Sequence, residues 1–540
     1  MENIKIKKFN SFFEPNLCNM RGMIVKMKTI ITIEYLINLS ILLFYYMHMF
    51  QLNSYFFNKQ MRWMRKNIKK VLLKTIFILM PTILPILKNT IVNIFAIIFM
   101  AISILYNLPK AKSKIKLKFT NRVLRMFFTE LILICIVLFV KYKNYTYIKL
   151  GIVNILAPVW CIVANLINFP VEYLIKKYYI NEAKKILKDM PNLVVIGVTG
   201  SYGKTSMKNY LKTLLEKKYE VLATPKNYNT TMGVVKTIRE NLKPIHQIFI
   251  CEMGATKPND IKEICDIVKP KYGIITSIGP QHLESFKNIE NIIKTKFELA
   301  KSVEENKGML FLNYDNEYIA KNKVQQEFIT YGTNNSKLDY NGFNIKTSSS
   351  GSEFMVSNAK TKDEEFFNTK LIGGHNVNNI IGAIAVSNYL GLSINELKLQ
   401  VKKLKNVEHR LELKNNGNIT IIDDSYNSNP VSSKSAIDTL SQFEGVKIIV
   451  TPGLIELGTK EKKYNFELGV YASKICDYIF LVNSKQSRDV FDGANSCNFD
   501  NEKIFRVNSP QEAVKNIINL KINDKITILL ENDLPDNYNI

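Results

Sequence analysis

The sequence predicts an α/β protein: a P-loop central domain with a parallel sheet, then a smaller C-terminal Rossmann-like α/β domain, the two preceded by an all-α transmembrane region. Three observations lead there. Residues 192–206 read N-L-V-V-I-G-V-T-G-S-Y-G-K-T-S, a buried-strand pattern running into clustered glycines. Strand-like and helix-like runs alternate from residue 419 onward. Long apolar runs with basic flanks fill the first third. The domains expected are 1–185 as about five spans, 186–407 as the central domain and 408–540 as the last.

Taken in order, residues 29–50 form a mostly apolar run interrupted by Glu34, Asn38 and His48, long enough to cross a hydrocarbon core. No small-residue cleavage site follows, which argues against a removable signal peptide. Residues 71–87 and 90–108 read as two short spans joined at Lys88 and Asn89, with Pro81 and Pro85 kinking the first. Residues 124–140 and 148–170 complete the set, and Glu34 and Glu130 are expected near interfaces. Residues 1–185 carry 28 Lys/Arg against 6 Asp/Glu, a net of +22 out of the chain's +26. Six Lys/Arg fall in 59–70 and seven in 110–125, while the turns near Lys88 and Tyr145 are poorer in charge. Basic loops stay on the cytoplasmic side against an anionic leaflet, so a cell-membrane protein with its globular part in the cytoplasm is expected, and no nucleic-acid partner. Five spans in that orientation put the N-terminus outside, in tension with the six Lys/Arg of residues 1–28. Seven scattered cysteines form no C-x-x-C pair, which disfavours zinc and disulfide frameworks.

The run 193–198 is apolar or β-branched apart from Gly197, as a strand buried on both faces of a parallel sheet requires. Gly200 and Gly203 then turn successive N–H groups into one concavity, and Lys204 adds a cation. Residues 204–217 read as a helix whose positive end faces the bound anion. Thr205 offers a hydroxyl to the Mg²⁺ that accompanies a nucleoside triphosphate. The form is G-x-T-G-x-x-G-K-T, with Gly197 one place too early for the strict loop pattern. A plain glycine turn between core elements is the bland alternative, outweighed by the strand before and the helix after.

Residues 224–235, T-P-K-N-Y-N-T-T-M-G-V-V, form a polar turn in which Asn229 and Thr230 are candidate substrate contacts. Residues 248–254, I-F-I-C-E-M-G, read as a second buried strand whose terminal Glu252 is the usual second Mg²⁺-organising acid beside such a loop. A third strand, 272–277, delivers His282 at another strand end, where open α/β sheets place ligands. Lys296, in the helical stretch 292–300, reads on composition as a snorkelling surface lysine. Residues 308–372 are β-rich, and strands at 419–423, 447–450, 478–482, 504–507 and 525–530 alternate with helices in the last domain.

Seven ordered motifs, T-G-S-Y-G-K-T-S, C-E-M-G, H-L-E-S-F, T-K-F-E, G-G-H-N-V-N-N, E-H-R and D-D-S-Y-N-S-N-P, resemble the Mur ligase family over residues 193–540. The resemblance implies an ATP-dependent amide ligase with ATP and Mg²⁺ as cofactors, acting in peptidoglycan and cell-wall synthesis. A substrate carboxylate attacks the γ-phosphate, and an amine then displaces phosphate from the acyl phosphate. Carried over by motif, Thr199, Gly200, Ser201, Tyr202, Gly203, Lys204, Thr205 and Ser206 hold the phosphates, Asn379 faces the adenine, and Arg410 and Asp424 border the nucleotide. The resemblance makes Lys204, Glu252, His282 and Lys296 the catalytic set. Thr205 and Glu252 would hold one Mg²⁺, His282 and a carbamylated Lys296 a second, and Tyr426 and Asn427 would line the substrate side.

Two features depart from the family pattern. Apolar segments stand where a soluble domain usually receives a uridine nucleotide, and residues 450–458 read V-T-P-G-L-I-E-L-G where a G-D-M-L-E-L-G-like stretch is usual. Both concern substrates, so the expected partners are a small-molecule or lipid-linked cell-wall precursor and an amino acid or dipeptide such as D-alanyl-D-alanine. A transport ATPase or signalling switch is the competing class; no L-S-G-G-Q-like or N-K-x-D-like stretch supports it.

Overall fold

The computed structural model describes residues 2–84, 90–108, 116–139, 146–426, 428–520 and 522–533. Pro85, Lys88, Asn89, Tyr145, Asn427 and part of the 110–125 loop lie outside them. The chain divides into two compact units, one ending at Ile175 and one beginning at Lys176.

The first unit is helical, and its polarity is inverted relative to a water-soluble bundle. Among the described residues most exposed large apolar side chains precede residue 180, including Ile33, Leu79, Phe95, Leu105, Ile132 and Phe169. Its interior is stitched by amides: Asn38 Nδ2 donates to Asn154 Oδ1 at 3.1 Å, and Asn107 Nδ2 donates to Asn38 Oδ1 at 3.0 Å. Tyr35 meets Thr82 at 3.1 Å. Apolar outside with polar bonds inside is the arrangement that bilayer-embedded helices adopt. The expected spans fall on helices Glu2–Leu52, Ile68–Ile83, Thr90–Asn107, Asn121–Phe139, Thr146–Ile155 and Ala157–Lys188. Among the described residues two segments, Val25–Leu52 and Ala157–Lys188, are long and apolar enough by length and composition to cross a membrane, against the expected count of about five. Ile68–Ile83 has only 16 residues, Asn121–Phe139 carries Arg122, Arg125 and Glu130, and the 148–170 run breaks at Leu156. Glu130 is fully buried among the helices.

The second unit holds two sheets. The first joins β1 (Val194–Thr199), β2 (Val221–Ala223), β3 (Ile248–Met253), β4 (Tyr272–Ile275), β5 (Met309–Asn313), β6 (Phe328–Thr333), β7 (Tyr340–Ser348), β8 (Gly351–Asn358) and β9 (Glu364–Thr369). Their order is β2-β3-β1-β4-β5-β6-β7-β8-β9, with parallel pairing as far as β7 and antiparallel pairing for β7-β8-β9. Branched residues on alternate sides of β1 bury both faces, Ile196 and Val198 against Leu211 and Ile384, Val195 against Val234 and Phe249. The antiparallel hairpins extend the sheet edge and account for the β-rich 308–372 stretch.

The second sheet joins β10 (Glu412–Asn416), β11 (Ile419–Asp424), β12 (Val446–Thr451), β13 (Tyr478–Val482), β14 (Ile504–Val507) and β15 (Ile526–Glu531). Its order is β10-β11-β15-β12-β13-β14, parallel except for the β10-β11 hairpin. In both sheets the loops that matter leave the carboxyl ends of the strands, where open parallel sheets present their crevice.

Candidate active site

β1 delivers the chain into the glycine loop. A Cβ on Gly200 would stand 2.1 Å from Thr276 Oγ1, and one on Gly203, at φ +80, would stand 2.8 Å from Asn379 Oδ1. Only glycine lets the backbone pass beneath both groups. The Lys204–Leu215 helix begins directly after it, and the N–H groups of its first turn have no partner within the helix. Lys204 Nζ lies over the loop, donating to Gly200 O at 2.8 Å and Ser201 O at 3.0 Å. Burial pushes its pKa down to about 8, with Glu252 opposing and Arg410 adding to the shift. The loop is therefore a cationic cradle of backbone donors, which fits a nucleotide's phosphates.

Three of the expected phosphate contacts also make bonds within the protein. Thr199 is fully buried and its hydroxyl donates to Met253 O at 2.9 Å. Ser201 gives its N–H to Ser277 O at 2.7 Å and its hydroxyl to Gly279 O at 3.1 Å. Tyr202 donates its N–H to Ser277 Oγ at 3.0 Å. The loop borrows these groups to fix its own shape, leaving Gly203, Lys204, Thr205 and Ser206 as the donor-bearing part.

At the end of β3, Glu252 is fully buried. Its Oε1 accepts from Thr205 Oγ1 and Asn229 Nδ2, each at 3.0 Å, and its Oε2 pairs with Lys208 Nζ at 3.0 Å. Burial by itself would raise its pKa, but Lys208 and then Lys204 outweigh that and hold it below the usual carboxylate range. An ionised carboxylate beside a hydroxyl is the oxygen-donor set a hard divalent cation takes, so the residues present fit Mg²⁺. Asn229 thus orients Glu252. Thr230 is the N-cap of the Thr231–Asn241 helix, accepting from Gly233 N at 3.3 Å. Lys208, which sequence reasoning passed over, is 2% exposed and also donates to Lys226 O at 2.5 Å. The signal available was its place one helical turn after Lys204, on the same face.

His282 follows β4 at φ +52, its Nδ1 against the Glu456 carboxylate of the second sheet's domain. Lys296 is 2% exposed at the end of the Ile289–Lys296 helix, which overturns its reading as a surface lysine. Burial, and then Lys204, pushes its pKa well down. Arg410 sits 4.6 Å over the Tyr426 ring, and Tyr426 Oη accepts from Asn227 Nδ2 at 2.8 Å, so this side of the cleft meets the turn after β2. Burial raises Asp424 to about 6, with Arg410 opposing, and its Oδ1 accepts from Leu411 N at 3.3 Å. Asn379 is buried with its amide against Gly203, at the phosphate loop itself. His409, Glu412 and Asp423 also converge, and Lys414 Nζ bonds Asp423 at 2.6 Å and Glu412 at 3.2 Å.

A phosphate loop facing a buried carboxylate, with a second α/β domain reaching the same cleft, defines a nucleotide-dependent enzyme of two α/β domains. Residues 198–387 match the Mur ligase middle domain and residues 409–531 the Mur ligase glutamate ligase domain. A UDP-N-acetylmuramoyl-tripeptide–D-alanyl-D-alanine ligase of Buchnera aphidicola subsp. Acyrthosiphon pisum is 30% identical over 343 residues, 62% of this chain and 73% of that one. The same-named ligase of Buchnera aphidicola subsp. Baizongia pistaciae is 29% identical over 350 residues, covering 64% of this chain and 73% of the other. In fold, MurF from Acinetobacter baumannii superposes with TM-score 0.60 at 24% identity, over 66% of this chain and 77% of its own. The Thermotoga maritima MurF ligase in complex with ADP gives TM-score 0.60 at 24% identity, over 66% and 80%. The chain belongs to the Mur ligase family. It is an ATP-dependent ligase that forms carbon–nitrogen bonds, with ATP and Mg²⁺ as its cofactors.

Proposed function

We propose that this chain is a membrane-anchored ligase of peptidoglycan-precursor synthesis that joins D-alanyl-D-alanine to a UDP-N-acetylmuramoyl-tripeptide. The observation that carries the chemistry is the bonding of Thr205 and Asn229 to Glu252 beneath the glycine loop. The substrates are those in the names of its relatives. In this reading the first-turn amides, Lys204 and Arg410 bind the phosphates, so the charge that spreads over the transferred group meets fixed donors. Thr205 and Glu252 hold one Mg²⁺; His282 and a carbamylated Lys296 hold a second. Tyr426 borders the substrate. The acceptor carboxylate oxygen attacks the γ-phosphorus and ADP leaves. The dipeptide amine then attacks the acyl carbon, loses its proton, and expels phosphate.

The membrane reading is supported by the inverted polarity of the helical unit and by the +22 charge of residues 1–185, which suits an anionic cytoplasmic leaflet. The same unit favours a second reading of the acceptor, a lipid-linked form of the peptide, because it stands where the family usually carries its uridine-nucleotide domain. Detergent-solubilised full-length protein should release ADP only when D-alanyl-D-alanine and an acceptor are both present. UDP-linked and lipid-linked tripeptides, compared side by side, decide between the readings. Lys204→Ala should lower the rate by on the order of 10²-fold or more. ADP release at the wild-type rate by that variant would sink the assignment.

A further inference from the structure

Among the side-chain contacts between the two domains of this unit is that of His282 with Glu456. The loop after β12 is fixed at its base. Leu454 and Leu457 are 1% and 2% exposed, buried in the core of the last domain. Asn465 grips Leu454 from both sides, accepting from its N–H at 2.7 Å and donating to its carbonyl at 3.0 Å. Asn532 Nδ2 donates to Gly453 O at 2.7 Å. Between the two leucine anchors, Glu456 projects at φ +61. A non-glycine residue there is strained, and such strain persists only where the surroundings over-determine it.

On the opposite side His282 is also left-handed, at φ +52, and its loop is seated by Phe286 and Leu283, 2% and 8% exposed. The two strained residues meet. The Glu456 carboxylate takes His282 Nδ1, and its backbone carbonyl accepts from Glu284 N at 3.2 Å. A casual surface contact would need neither the paired backbone bond nor two left-handed residues.

We propose that Glu456 is a positioning residue for His282, so that the family's second metal position is complete only when the two domains are docked. This rests on the reading of His282 as a metal ligand given above. With Nδ1–H donated to a carboxylate, the imidazole keeps its lone pair on Nε2, the one ring atom left to bind a metal. Carboxylate partners of ligating histidines commonly fix the tautomer and the ring orientation in this way. Because Glu456 belongs to the last domain and His282 to the central one, domain closure sets the geometry of a ligand.

The test uses full-length protein in detergent, saturated with ADP, and Mn²⁺ as the probe, its binding followed by electron paramagnetic resonance. Two classes of bound Mn²⁺ are expected in the wild type. Glu456→Ala should weaken the second class by about 10-fold or more while leaving the first class and the melting temperature unchanged. Glu456→Gln, which keeps an acceptor for Nδ1–H, should recover most of that loss. The double variant Glu456→Ala, His282→Ala should lose no more than His282→Ala alone, because both changes remove one ligand. Wild-type Mn²⁺ binding in Glu456→Ala, additive losses in the double variant, or loss of both classes together would each overturn the proposal. So would a wild type with one class only. Failure of the proposed substrates with two Mn²⁺ classes intact would count against the substrate assignment and leave this one standing.

Discussion

A lysine at 2% exposure beside a second cationic side chain gives up its proton far more readily than one in water, and Lys296 is in that position next to Lys204. An uncharged amine is what reacts with carbon dioxide to give a carbamate, an oxygen ligand that Mg²⁺ prefers to ammonium. Lys296→Ala should therefore reduce ligase turnover by on the order of 10²-fold, with partial rescue by acetate occupying the vacated volume. Lys294, exposed and two residues earlier, is the control, and Lys294→Ala should retain nearly full activity. Equal activity of the two variants would count decisively against a carbamate. The T-K-F-E motif singled out Lys296 as a resemblance, but composition alone assigned it to the surface. Helical periodicity is a weak guide here, because the stretch is two short helices meeting at Phe297.

For a single element, the loop and the Lys204–Leu215 helix behave as one unit whose shape is set by bonds to the β4 end. Gly203→Ala meets two obstacles at once, the φ of +80 and the Asn379 amide 2.8 Å away. ADP affinity measured by calorimetry should fall at least about tenfold, and stability by roughly 1–2 kcal/mol. Unchanged ADP affinity would show that the loop does not carry the phosphates. The strand, the glycines and the helix were legible from residue types, since each requirement is local. The diversion of Thr199, Ser201 and Tyr202 to internal bonds was not, because Met253, Ser277 and Gly279, which receive those bonds, lie far along the chain.

For the whole molecule, the contrast is between an apolar-surfaced helical unit and a catalytic unit with ordinary cores. Basic loops alone would leave a bilayer at high ionic strength, whereas buried spans would not. After 1 M salt and then alkaline washing of membranes, on the order of nine tenths of the full-length chain should stay in the pellet. Recovery of intact protein in the supernatant would show that the first third is not embedded.

The sequence by itself pointed to the two α/β domains, the phosphate loop, Glu252 and His282 as candidate residues at strand ends, and the amphiphilic first third, while Arg410 came only from the family resemblance. Apart from Arg410, these follow from local pattern: hydrophobic period, glycine spacing and charge distribution. Tertiary structure alone decided which groups those residues face. Lys208 on Glu252, Asn229 as orienter of Glu252, Glu456 on His282 and the burial of Lys296 all depend on approaches between strand ends and loops that are remote in sequence. A charged side chain looks the same in sequence whether water or a second charge surrounds it. Only the packed sheets, by removing water and fixing distances near 3 Å, turn those charges into a site.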